Sequence, residues 1–163
     1  MKKSVLNYVC IGALICVGVF ACVKKTTYST TPEISFNSFS PYVGDSADIN
    51  INFKDGDGDI GVGSGDSTRT MWINYYYKDT TTQQYVAFCY GCTSTSHDSL
   101  KTSYVIRAPK DSYLGKPISG EIIVRLQQYR HSRKIKNLKY VVYLYDKAGN
   151  KSNVIETPVL LVP

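Results

Sequence analysis

Three residue types are nearly missing. The 163-residue chain has two histidines, two methionines and one tryptophan. His97 and His131 are too few for a multi-histidine metal centre, and a zinc site built on two cysteines would need both of them. No glycine-rich loop leads into a helical pattern, which excludes phosphate cradling of the nucleotide-binding kind. No apolar stripe at helical spacing runs for long, which excludes a helical bundle. Acid–base catalysis lacks its parts too. His97, Asp98 and Ser99 are adjacent, and neighbours in a chain do not form a working triad. Glu121 and Glu156 fall at surface-facing positions of alternating stretches.

Tyrosine is plentiful, with 14 copies against 5 phenylalanines. Together with frequent Thr, Val and Ile, it suits pleated, half-buried strands. The length suffices for one domain plus a short extension. A domain of this size needs no metal or disulfide merely to fold.

The chain opens MKKSVLNYVCIGALICVGVFACVKK. Lys2 and Lys3 form a basic start, and Tyr8 to Ala21 is uncharged and mostly apolar. That stretch is short for a membrane-spanning helix and fits an export signal. VFAC resembles a bacterial lipobox: aliphatic, variable, small, then cysteine. The resemblance implies cleavage after Ala21, diacylglycerol on the Cys22 sulfur and acylation of the new amine. Several acyl chains make a stable anchor. Cys10 and Cys16 lack such a preceding triplet. An uncleaved anchor and an ordinary secretory signal are the other readings. The expected division is a lipoprotein signal peptide (1–21), lipidated Cys22 with a flexible Thr/Ser-rich tether (22–32), and a folded domain (33–163).

Losing Lys2 and Lys3 from 19 basic side chains leaves 17 against 13 acidic, a net +4. This mild excess is not that of a nucleic-acid binder. The densest basic run, RHSRKIKNLK (130–139), reads as a solvated loop between strands or as a contact for anionic glycan or lipid headgroups.

From Glu33 the pattern has period two. In ADININF (47–53), Ala47, Ile49, Ile51 and Phe53 face a core, while Asp48, Asn50 and Asn52 face water. EISFNSFS (33–40) alternates through Ile34 and Phe36 and, after a slip, Phe39. MWINYYYK (71–78) and QQYVAFCY (83–90) flank the polar DTTT as a hairpin. TSYVIRAP (102–109) and ISGEIIVRLQ (118–127) follow. In LKYVVYLYD (138–146), Leu138, Tyr140, Val142 and Leu144 share one face. NVIETPVLLV (153–162) comes last. About eight short strands predict an all-β antiparallel sandwich with Greek-key connections.

YLYDKAGNKSN (143–153) is similar to the penultimate-strand-and-turn signature of bacterial immunoglobulin-like and fibronectin-like modules. Asp146 would hydrogen-bond the turn backbone, and Gly149-Asn150 would take positive φ. With NFKDGDGDIG (52–61), behind a lipobox, the layout resembles a group of small Bacteroidetes lipoproteins of uncharacterised role. The resemblance implies an immunoglobulin-like sandwich, lipid-anchored in the bacterial cell envelope at the outer membrane. It carries no catalytic residues over. Surface lipoproteins of such bacteria often have acidic residues just after the lipidated cysteine. Lys24 and Lys25 stand there instead, which favours the periplasmic face.

Carboxylates spaced by two converge on a hard cation when the backbone curls around it, and Ca²⁺ takes six to eight oxygens in flexible geometry. Asp55, Asp57 and Asp59 occupy positions 1, 3 and 5 of the helix-loop-helix calcium loop. Asp66 falls at position 12, and a Gly61 carbonyl would fill position 7. Ile60 replaces the glycine that such a loop requires at position 6, and the flanks are not helical. The expectation is a strand-exit loop with the same oxygen spacing, holding a structural Ca²⁺. The alternative is a solvated turn whose like charges repel weakly in water.

After cleavage the free cysteines are Cys89 and Cys92, in CYGC. An exported location favours a local disulfide. Free thiols, a zinc site and a redox centre are the alternatives, although redox folds place such a pair at a helix start and this one follows a strand pattern. The chain therefore reads as a non-enzymatic, membrane-anchored module that binds a protein or glycan or serves as envelope structure. The competing reading is a thiol-redox or metal-dependent enzyme centred on Cys89 and Cys92. The tyrosines are the expected contact material, because tyrosine supplies large amphipathic area.

Overall fold

Stretches whose apolar residues recur at every second position are the strands. The computed structural model describes residues 27–88, 101–109 and 113–162. Among these, the strands are β1 (Glu33–Pro41), β2 (Ala47–Asp55), β3 (Met71–Lys78), β4 (Tyr85–Ala87), β5 (Lys101–Tyr104), β6 (Ile118–Leu126), β7 (Asn137–Leu144), β8 (Ile155–Glu156) and β9 (Leu160–Leu161). No helix among the described residues is long and apolar enough to cross a membrane. The leader with Cys22, together with Cys89, Cys92 and His97, lies outside the described residues.

All named strand pairs are antiparallel. One sheet has the order β1-β2-β6. In the other, β3 and β7 are central. β4 and β5 lie end to end along one edge of β3. β8 and β9 do the same along the far edge of β7. The connections β2–β3, β5–β6 and β6–β7 cross between sheets. The result is an all-β antiparallel sandwich of a three-stranded and a six-stranded sheet.

The core is the sum of the inward alternations. Ile49 and Ile51 from β2 and Ile122 and Val124 from β6 meet Ile73, Leu138, Val142 and Leu144 from the other sheet. Fully burying one such side chain stabilises by about 1.5–3 kcal/mol. The slip in β1 is a bulge between Phe36 and Ser38. It restores the inward phase, so Phe39 packs edge-on against Tyr129 at 5.6 Å. Tyr140, near the start of β7, donates its hydroxyl to the Tyr129 carbonyl in the preceding connection. This bond ties the crossover to the strand it feeds. Asn153 ties the sheets at one edge: Ile34 N–H donates to its Oδ1 at 2.7 Å, and its Nδ2 donates to the Ile34 carbonyl at 2.9 Å.

Several expectations shift. The 102–109 strand leaves β3 at Tyr104, because β3 begins at Met71, its partner. From there the chain pairs with Val62, through Val62 N–H to the Ile106 carbonyl at 2.8 Å and Ala108 N–H to the Val62 carbonyl at 2.9 Å. Pro158 lies between β8 and β9, so the last stretch is two short strands, as a residue without an N–H requires. The basic run is only partly solvated. Arg130 is 7% exposed and sits 3.3 Å from Asp45. The tether is docked over its second half: Pro32 is fully buried, and the Tyr28 hydroxyl lies 3.5 Å from Ser119 Oγ.

On β6, Ile122 faces inward and neighbouring Ile123 is 60% exposed. Ile51→Ala, at a site with 0% exposure, is expected to destabilise by about 2–5 kcal/mol. Ile123→Ala should change stability by less than about 0.5 kcal/mol. Urea denaturation of both variants tests the register.

Candidate metal centre

The pleat of β2 decides what lies at its end. Ala47, Ile49, Ile51 and Phe53 face the core, and the next residue of that phase is Asp55. Its exposure is 0%. A carboxylate is thus inserted at the rim of an apolar core, where burial disfavours its charge. Burial, followed by the charges of Asp57 and Asp59, pushes the Asp55 pKa up to about 6.

Asp57 and Asp59 follow on a curled backbone. Asp55, Asp57 and Asp59 each place one carboxylate oxygen within 4.8 Å of the others. With Ca–O distances of about 2.3–2.6 Å, oxygens so spaced can share one cation. Each aspartate also keeps a buried Oδ1 with no hydrogen-bond partner among the described residues. The remaining bonds organise the loop. Asp59 N–H donates to Asp55 Oδ2 at 3.0 Å, and Ala148 N–H donates to Asp59 Oδ2 at 3.0 Å. Burial and then Asp146 raise the Asp59 pKa above the ordinary carboxylate value.

Two positions of this curl take the positive φ that favours glycine. Gly58 takes φ +69°, and a Cβ there would overlap the Tyr113 carbonyl oxygen. Gly61 takes φ +79°, with a Cβ position 2.8 Å from Ala108 N. Gly115 N–H closes the same wall by donating to the Asp57 carbonyl at 2.5 Å.

The second motif of the sequence meets the first. Ile60 bridges Asp146 in antiparallel fashion, and Lys147 N–H donates to the Asp59 carbonyl at 3.3 Å. Asp146, 4% exposed, has its two oxygens occupied by Asn150 N–H at 2.7 Å and Asn150 Nδ2 at 2.8 Å. It contributes field and not a free ligand atom. The positive φ expected over Gly149-Asn150 falls on Gly149 alone, at +87°.

Asp66 is not brought into the group. After Asp59 the chain enters pairing through Ile60 and Val62 and does not continue around one centre. Asp66 Oδ1 accepts from Thr68 N–H at 2.8 Å. Bonds from Thr68 hold its pKa below the usual value. Its carbonyl accepts from Arg107 Nη1 at 2.6 Å. Gly61 marks the point where the chain turns away from the carboxylates toward residues 106–108. Glu121 and Glu156 are exposed as expected, and Glu156 pairs with Lys139 at 2.6 Å. The His131 ring lies 4.0 Å from that of Phe88.

No protein-family model, curated protein or solved structure matches the chain.

The buried carboxylate sets a pH dependence. The folded Asp55 pKa of about 6 lies above the unfolded value of about 3.9. Between them the folded chain keeps a proton that the unfolded chain releases. This contribution is fully present below pH 4 and is lost as pH rises through 6, an effect of about 1–3 kcal/mol. In chelator, the wild type is expected to lose stability relative to Asp55→Asn over that window. Urea midpoints of both proteins from pH 4 to 7.5 test it, and parallel curves would contradict it.

Proposed function

We propose that the chain is a non-enzymatic β-sandwich module, lipid-anchored at Cys22 in the bacterial cell envelope, whose DGDGD loop is held by one structural Ca²⁺. The supporting observation is that Asp55, Asp57 and Asp59 bring one carboxylate oxygen each together, and that each also keeps a buried Oδ1 without a hydrogen-bond partner among the described residues. Buried like charges of this kind are expensive unless paired or metal-bound. Ca²⁺ suits them better than Mg²⁺, which keeps several waters and prefers few protein ligands. The ion's role is structural, because it would brace the exit of β2, where the Asp59 carbonyl and carboxylate receive the N–H groups of Lys147 and Ala148 from the turn after β7. Contact material lies on the outer face of the larger sheet. There Trp72 stacks on Tyr143 at 5.6 Å, with Tyr145 edge-on at 5.3 Å and Lys151 Nζ 4.2 Å from the Tyr143 ring.

Calorimetric titration of the chelator-stripped chain with Ca²⁺ should give saturable heat, and Asp57→Ala plus Asp59→Ala should abolish it. At a hundred times the dissociation constant, Ca²⁺ should stabilise the fold by about 2.7 kcal/mol. No heat at millimolar ion would end the calcium reading. Anchoring has its own test. Cys22→Ser expressed in a bacterial host should lose its acyl mass and leave the membrane fraction. Retention of that variant in membranes would favour an uncleaved anchor.

A further inference from the structure

We propose that the aspartate-loop end of the sandwich is the face that lies against the lipid bilayer, with Tyr113 and Leu114 entering the headgroup region. The proposal rests on the anchoring of Cys22 argued above. Its own support is the path of residues 28–32. Tyr28 and Ser29 run beside Gly56: a Cβ at Gly56 would sit 2.5 Å from the Tyr28 carbonyl oxygen and 2.7 Å from that of Ser29. The Tyr28 hydroxyl reaches Ser119 Oγ at 3.5 Å, and buried Pro32 leads into β1. The tether is therefore fastened to the end that carries Asp55, Asp57 and Asp59.

Chain length then limits the orientation. Cys22 lies six residues before Tyr28, a reach of at most about 20 Å when fully extended. The two ends of the sandwich are separated by β2, nine residues long, or about 30 Å. A lipid-bound Cys22 can lie close beneath the aspartate-loop end. It cannot comfortably reach around to the other end.

That near end offers a surface suited to the interface. Tyr113 is 45% exposed and Leu114 49% exposed. They stand in the loop that holds the aspartates, through Gly115 N–H to the Asp57 carbonyl at 2.5 Å. A tyrosine beside a leucine is amphipathic, and such pairs settle at the membrane–water boundary. Exposed Lys54 and Lys147 flank the same end and are attracted to anionic headgroups. Ca²⁺ in the carboxylate group would lower the local negative charge by two, which favours the same contact. Exposure alone does not choose this face, because the opposite end exposes Tyr42 and Val43. The fastened tether makes the choice.

The chain's single tryptophan makes the test clean. In a Trp72→Phe background, Leu114→Trp or Val43→Trp places one emitter at either end. Each precursor is expressed in a bacterial host, purified from its membranes and reconstituted into vesicles containing brominated phospholipid. A mass spectrum confirms the acyl groups on Cys22. The tryptophan at 114 should be blue-shifted on reconstitution and quenched severalfold more strongly than the one at 43. Tyr113→Trp in the same background should behave like Leu114→Trp. Equal quenching at both ends, stronger quenching at 43, or quenching at none of the three positions would overturn the orientation while leaving the anchor intact. A chain without acyl mass would overturn the anchor and the orientation together.

Discussion

The structure turns on one carboxylate in the wrong company. β2 alternates without a break, and the phase that buries Ala47, Ile49, Ile51 and Phe53 buries Asp55 as well. Removing the aspartate from the core face would require a bulge or a register slip in the strand. A one-residue slip in β2 would turn its whole apolar set to water. The register is held on both sides, by β1 and β6. The core therefore fixes Asp55 in place, and the loop has to answer its charge.

The loop answers in two ways that pull against each other. Backbone N–H groups approach the carboxylates: Asp59 N–H on Asp55, and Ala148 N–H on Asp59. These bonds favour the charged forms. Crowding of Asp57, Asp59 and Asp146 around the same point disfavours them. For Asp55 burial and repulsion win, since its pKa is raised. A divalent cation would reverse that balance with a single contact to each oxygen. The glycines permit the crowding, because at Gly58 no side chain fits against the Tyr113 carbonyl.

How much of this could be read beforehand depends on the range of the interactions. β2 and β7 were legible because alternation is local and neither strand is interrupted. The bulge in β1 was legible as a break in phase. The carboxylate trio was legible in part: the oxygens of Asp55, Asp57 and Asp59 do converge, as the spacing implied. The burial of Asp55 was present in the alternation as well, one step past Phe53, and went unread because a charged residue at a strand end is usually taken for the first residue of the loop. Asp66 misled, since position counting assumes a continuous curl. Pairing of Ile60 with Asp146 and Val62 with residues 106–108 ends the curl early. The meeting of the two motifs was not legible either. Ala148 and Asp59 are 89 residues apart, and no local rule joins them. Arg130 looked like one cation among several until the Asp45 turn was folded against it.

The two ends of the sandwich differ in electrostatic character, and the antiparallel strands explain why. β2 ends, β7 ends and β1 begins at the aspartate loop, so the DGDGD exit, the Asp146 turn and the docked tether share that end. The opposite end collects the start of β2, the crossover from β6 to β7 and the last described residues. There Arg130 and Arg133 converge on Asp45, at 3.3 and 3.7 Å, and Tyr129 N–H donates to the Asp45 carbonyl at 2.8 Å. There the Asp45 carboxylate meets two guanidinium groups. The aspartate end leaves its oxygens unpaired. Among the described residues, the carboxylate oxygens that converge closely enough to share a cation lie at the end to which the tether is fastened.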